Sequence, residues 1–290
     1  MLWQPHSYST LAFAKEEVEF LCGSKNLHFG STILYKEGIK LKRKRILVVG
    51  ESWTSVETHC KGFDYFMTVS HNEGIKWLKA ALENGEFLVE HLPSQAVAAD
   101  FPTDPAILKE YDVIMLSDIG SNSFLLHPDT YVRSRRTTNR LKLIQQYVKE
   151  GGGLCMIGGY MTFQGIDGRG RWHGTPVEAC LPVEIHFCDD RVEVPEGYEP
   201  QVVQGEHPIL KGIPDQWPFL LGYNRVRTKP EGLNLLEHEG DPILIVGTYG
   251  LGKTMAFTSD CAPHWAPYEF LEWKYFDQFW QQAAQWLTGR

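Results

Sequence analysis

Four places in the sequence carry residue types that could do chemistry. Gly247 to Thr254, GTYGLGKT, fits a phosphate-binding loop: a glycine, four residues, then Gly252, Lys253 and Thr254. Cys155 follows the glycines at 151–153, a setting in which a thiol nucleophile has to be tested. Glu51 and Asp118 each stand where a short apolar run stops. Two carboxylates facing one crevice could bind a sugar, a metal or a proton, and the same residues could instead cap helices and bond loops. Asp260 and His264 form the fourth place, as an acid orienting an imidazole or as part of a solvated loop.

What these residues can do depends on the elements that hold them. From Arg45 the chain alternates apolar runs and helical stripes. Ile46 to Gly50, Phe87 to Val89, Asp112 to Leu116 and Leu154 to Ile157 read as strands. Glu73 to Asn84, Pro105 to Tyr111 and Thr137 to Glu150 read as helices between them. That alternation predicts an α/β fold with a mostly parallel sheet and right-handed crossovers, whose ligands lie beyond the carboxyl ends of the strands. Glu51, Ser52, Asp118, Gly159 and Tyr160 fall there. After Tyr160 the chain turns rich in Gly, Pro and His, with a short strand at Val183 to His186. Two strand-like runs follow, Pro242 to Val246 and Thr254 to Thr258, and then one long helix over Glu269 to Leu287 with a broad aromatic face.

This layout decides two of the four places. A phosphate loop needs a strand before it and a helix after it, because the helix N-terminus supplies the amides. Here Thr254 to Thr258 alternates as a strand, so Gly250 and Gly252 read as hairpin-turn residues. A nucleophile elbow sits on a strand-to-helix turn. Cys155 lies inside its run, with the turn later at Gly158-Gly159-Tyr160, so it reads as a buried core thiol.

Several motifs recur in one order: Gly50-Glu51-Ser52-Trp53, Lys61-Gly62-Phe63-Asp64, Ser117-Asp118-Ile119-Gly120, Gly151 to Tyr160, Phe163-Gln164-Gly165, Asp189 to Pro195, Leu221-Gly222-Tyr223-Asn224, Ser259-Asp260 and Pro263-His264-Trp265. Together they resemble a bacterial family of class I-like glutamine amidotransferases, related to the trehalose-utilisation ThuA-like proteins, over about residues 45 to 288. The resemblance implies a flavodoxin-like three-layer sandwich of the class I glutamine amidotransferase-like type. True class I enzymes carry Cys at the elbow and a His-x-Glu pair after a late strand. This chain has Gly159-Tyr160 at the elbow, and Ala266 stands two residues beyond His264.

The expectation is therefore a glutamine amidotransferase-like protein without the Cys-His-Glu machinery, binding a small polar metabolite at the strand ends. Tyr160, Asp260 and His264 are its candidate catalytic residues. Glu51, Ser52, Asp118, Gly159 and Asn224 are its candidate ligand-binding residues, Asn224 having a turn-building role as its alternative. If the protein is an enzyme, a hydrolase or amidotransferase-like activity is expected. A glutaminase using Cys155 and a non-catalytic interaction module remain the rival readings. Asp189, Asp190 and Arg191 read as an internal ion pair. His59, His71 and His264 lack metal-site spacing, so neither metal nor cofactor is expected.

Composition narrows the partners. The 290 residues are 43% hydrophobic and 22% charged, with net charge −8. Such a surface does not recruit nucleic acid, and the basic run Lys40 to Arg45 reads as a strand entrance. The six cysteines fit no zinc framework, and no apolar stretch reaches the roughly 18 residues of a membrane span. A reduced cytoplasmic setting without membrane attachment is expected, and a homo-oligomer is open. Residues 1–44 read as an extension, partly ordered at best, with a short helix near Glu16 to Leu21 and a strand near Thr32 to Tyr35. Residues 45–290 read as a single α/β domain.

Overall fold

The computed structural model describes residues 33–36 and 39–289. The expected helix at Glu16 to Leu21 lies outside them. The chain divides into two compact units between Leu41 and Lys42. Strands β1 (Ile33–Lys36) and β2 (Ile39–Lys42) pair with each other, and all but Lys42 of these residues belong to the first.

The second unit runs in order through β3 (Arg45–Gly50), β4 (Ser52–Lys61), β5 (Asp64–Glu73), α1 (Lys76–Asn84), β6 (Leu88–Leu92), α2 (Ser94–Asp100), α3 (Pro105–Leu108), β7 (Val113–Ser117), α4 (Asn122–Leu125), α5 (Pro128–Tyr131), α6 (Arg140–Lys149) and β8 (Gly153–Ile157). It continues with β9 (Val183–Ile185), β10 (Arg191–Tyr198), β11 (Gln201–Val202), β12 (Leu220–Asn224), β13 (Val226–Thr228), β14 (Leu233–His238), β15 (Asp241–Tyr249), β16 (Gly252–Phe257), α7 (Tyr268–Leu271) and α8 (Phe276–Leu287).

Eight strands form the central sheet in the order β11-β14-β15-β16-β8-β7-β3-β6. The five from β16 to β6 are parallel, and β15, β14 and β11 extend them antiparallel. Numbered along the chain, the parallel strands lie in the order 2-1-3-4-5, which is the flavodoxin-like arrangement.

The strands form where the apolar runs are because both faces of the sheet are covered. Side chains alternate between two separate cores. Ile46, Val48, Met115, Cys155, Ile157 and Phe257 enter one, packed with α1 and α8. Leu47, Val49, Ile114, Leu116, Leu154 and Met156 enter the other, with α2, α3 and α6. Helix α6 starts at Arg140 rather than Thr137 because the Asn139 side chain caps it, accepting from the Lys142 amide at 3.1 Å.

The structure departs from the sequence reading at two elements. The long C-terminal helix is broken: α7 ends at Leu271, Glu272 leaves the helical region (φ −103°, ψ 8°), and α8 starts at Phe276. The break lets Trp273 lie against Trp217 at 5.0 Å between ring centroids. The second departure is a ribbon. Directly after Glu51 the chain leaves the sheet as the hairpin β4–β5, ten residue pairs long, before returning at Gly74. Gly247 to Thr254 is a hairpin too, pairing β15 with β16 through Gly250 (φ +61°) and Leu251.

Candidate functional site

The parallel order places a switch point between β3 and β7, the crevice where ligands of such sheets bind. Glu51 and Asp118 stand at that point, on neighbouring strand ends paired through Gly50 and Ser117. The crossing is tight: a Cβ on Gly50 (φ +104°) would lie 1.9 Å from the Ser117 carbonyl oxygen. Glu51 (φ +49°) and Asp118 (φ +41°) both take the left-handed conformation that residues with a Cβ rarely adopt. His264 also has positive φ, +144°. Strained backbone gathered at strand ends in this way is a mark of functional sites.

Three carboxyl groups converge behind this crevice. Ser117 Oγ donates to Glu51 Oε2 at 2.5 Å, and the Cys261 thiol lies 3.7 Å from the same oxygen and 3.5 Å from Ser117 Oγ. Asp260 Oδ1 accepts from the backbone amides of Cys261 (2.6 Å) and Ala262 (3.1 Å). Asp118 Oδ1 accepts from the Met161 amide at 2.7 Å. Glu51, Asp260 and Cys261 are buried, and Asp118 is partly exposed.

Burial and mutual repulsion keep protons in this cluster. Burial, helped by the charge of Asp118, pushes the Glu51 carboxyl from its ordinary 4.5 to about 7, against the hydrogen bonds from Ser117 and Cys261. Burial raises Asp260 well above the usual range, with Glu51 and Asp118 adding to it. Asp118 is raised by burial, opposed by the Met161 amide and by His264. Burial likewise holds the Cys261 thiol protonated.

An outer layer covers the cluster. The Tyr160 ring meets His264 edge-on at 4.3 Å, and His264 stacks on Trp265 at 5.3 Å. Glu193 ties this layer together, accepting from the Tyr160 hydroxyl at 3.0 Å and from Trp265 Nε1 at 2.9 Å. Its carboxylate lies 3.9 Å from His264 Nε2. The Arg191 guanidinium sits 4.8 Å over the Tyr160 ring and pairs with Asp189 at 2.8 Å. Burial lowers the His264 pKa, against the charges of Glu193 and Asp118, so the imidazole favours its neutral form.

The structure thus brings Glu51, Asp118 and Asp260 together, with the Tyr160 backbone and His264 beside Asp118. Gly159 (φ +147°) packs against Asp118, where a Cβ would lie 2.7 Å from Asp118 Oδ1. Asn224 accepts from the Gly159 amide (3.0 Å) and donates to the Gly159 carbonyl (3.2 Å) and to Asp190 Oδ1 (2.9 Å), fully buried. It clamps the end of β8. Asp190 also accepts from the Gln164 and Gly165 amides. Ser52 accepts from the Ser94 amide at 2.8 Å and donates to Gln95 at 3.2 Å, tying β4 to the start of α2. Cys155 is fully buried in β8, its thiol pushed far up by burial. Its neighbours are core residues, as the strand reading requires.

The three histidines do not meet. His71 pairs with Thr54 and His59 stands five residues further along β4, about 17 Å away at strand spacing. Among the described residues, Glu51, Asp260 and Cys261 each offer one metal-ligand atom within 4.8 Å of the others. Binding there would require the cluster to shed the protons that burial holds on it. Ser117, Cys261 and Glu193 were not among the sequence candidates. Cys261 beside Asp260 and Glu193 in the Asp189–Pro195 motif were the available signals.

Strand order, covered faces and a site at the switch point define a flavodoxin-like α/β protein of the class I glutamine amidotransferase-like type. The chain belongs to the putative glutamine amidotransferase family, whose model matches residues 45–289. It is similar to two cytoplasmic proteins of Salmonella typhimurium, STM3548 (40% identity, TM-score 0.81, 83% of this chain and 98% of that one) and STM1381 (41%, 0.81, 84% and 99%). A putative ThuA-like protein from Parabacteroides merdae shares the fold at 13% identity, with TM-score 0.54 over 85% of this chain and 90% of that one. No curated protein matches the sequence. No described helix is long and apolar enough to cross a membrane.

Proposed function

We propose that the protein binds a small polar metabolite at the switch point between β3 and β7, with Asp118, Glu51 and Asp260 as its hydrogen-bonding and proton-exchanging groups. The observation that carries this reading is the pair of strained carboxylate residues, Glu51 and Asp118, on adjacent strand ends at that crevice. Asp118 is the partly exposed member and would touch the ligand. Glu51, poised near neutrality, would take up or return a proton from behind it. Tyr160 and His264 would form the outer wall, a neutral imidazole and a phenol suited to hydroxyl or carboxamide groups. A ligand without negative charge fits best, because Asp118, the partly exposed acid of the cluster, would meet it.

In this reading Cys155 has no part in the chemistry. A thiol nucleophile needs access and a thiolate-stabilising neighbour, and burial inside β8 opposes both. We also assign the cytoplasm as the compartment. The two Salmonella relatives are named cytoplasmic, and the described cysteines are all unpaired.

The reading is tested by a thermal-shift panel of polyols, sugars and carboxamides with wild-type protein and Asp118→Asn. A compound that raises the wild-type Tm should lose at least tenfold in affinity in the variant, because a carboxamide cannot exchange the proton. A shift that survives Asp118→Asn and Glu51→Gln unchanged would place the ligand elsewhere.

A further inference from the structure

The ribbon β4–β5 is not absorbed by the site. Among the described residues it is a two-stranded sheet of its own, with neither outer edge paired. Isolated hairpins are marginal in water, and open edges recruit further strands. The register sorts its side chains onto two unlike faces. One carries Ser55, Glu57, Lys61, Asp64, Thr68 and Ser70, with Trp53 at its base and Phe66 stacked on His59 at 4.6 Å. The other carries the cross-strand pairs Val56–Val69, Thr58–Met67 and Cys60–Tyr65. With Phe63 at the tip, the large apolar side chains of that face are 59% to 107% exposed. From Val56–Val69 to the tip it is a continuous apolar surface with no formal charge, with Glu73 beside Ser52 at its base, on a protein of net charge −8.

We propose that this face is a dimerisation surface, on which the ribbon of a second copy of this chain packs about a two-fold axis. The described residues of the second unit are poorly placed to cover its tip. Ten residue pairs carry the tip about 33 Å from the point where the ribbon leaves the sheet. A second copy fits for three reasons. Beyond Glu73 at the base, the apolar face meets its own image without opposing like charges, whereas the rest of this acidic surface repels itself. The free edges allow main-chain pairing between ribbons in addition to face packing. The apolar side chains amount to on the order of 600 Å² per copy, so a two-fold pair reaches about 1,200 Å², the lower bound of stable interfaces. An anionic lipid surface fits less well, since Glu57, Asp64 and Glu73 outnumber Lys61 on the ribbon.

The test is sedimentation of the full chain from about 1 to 100 µM, a range that exposes mass action. Wild type is expected at twice its 33.1 kDa mass. The double variant Val56→Glu, Val69→Glu should raise the dimer dissociation constant at least tenfold. A second variant, with Thr54 joined to His71 through Asn-Gly, removes the apolar pairs and keeps the ribbon's base. It should be monomeric, with near-ultraviolet dichroism like that of wild type. A wild-type monomer throughout the range would overturn the proposal, as would dimers unchanged by both variants. Wild-type monomer that co-sediments with phosphatidylcholine vesicles would assign the face to lipid instead.

Discussion

Glu51 is the residue on which pH should act most visibly. Unfolded, its carboxyl titrates near 4.5; folded, near 7. Between those values the unfolded chain has lost a proton that the folded chain keeps, so rising pH favours unfolding. The penalty is absent below pH 4.5 and complete above 7, and amounts to roughly 3 kcal/mol for a shift of this size. Urea denaturation of wild type and Glu51→Gln should therefore show the variant gaining on wild type as pH rises from 4.5 to 8. Equal pH slopes would mean that Glu51 ionises freely. Asn224 should matter for stability rather than for the ligand. Truncation to Ala strips the partners from both backbone groups of Gly159 and one from Asp190, at a cost of about 3 kcal/mol or more. Equilibrium unfolding checks this, and a loss under 1 kcal/mol would contradict the clamp. Asp118 and Asp260 could be read in the sequence because each follows a strand run. The contact of Ser117 with Cys261 could not: it joins residues 144 apart, and only the folded sheet brings them to one carboxylate.

At the scale of elements, the strands of the parallel sheet were legible because burial on both faces writes them as continuous apolar runs. The hairpin at Gly247 to Thr254 was legible because alternation continues past Lys253 where a phosphate loop would need a helix. The ribbon was not. Its alternation, Tyr65, Met67, Val69, has no counterpart core to name, so a period-2 pattern there could be read as a motif-bearing loop. The C-terminal break was hidden for a different reason. The aromatic stripe continues with helical spacing through Trp273, but tertiary packing of that indole on Trp217 overrides the local pattern. Helix α8 nonetheless anchors one core. Phe279 is fully buried against Trp217, Phe257 and Trp280. Phe279→Ala should cost about 3–5 kcal/mol. Thermal unfolding measures it, and a Tm within a degree or two of wild type would show that α8 is peripheral.

At the scale of the whole molecule, the sheet order puts the switch point at the ends of β3 and β7 and leaves Cys155 within the core. The family's name points to glutamine hydrolysis, while the function proposed above is proton exchange on carboxylates. These alternatives separate in ammonia release from glutamine by purified wild type, Cys155→Ala and Asp118→Asn. The account predicts no release that depends on Cys155: any turnover seen with wild type persists in Cys155→Ala and falls in Asp118→Asn. Turnover abolished by Cys155→Ala in a folded protein, and kept by Asp118→Asn, would contradict it.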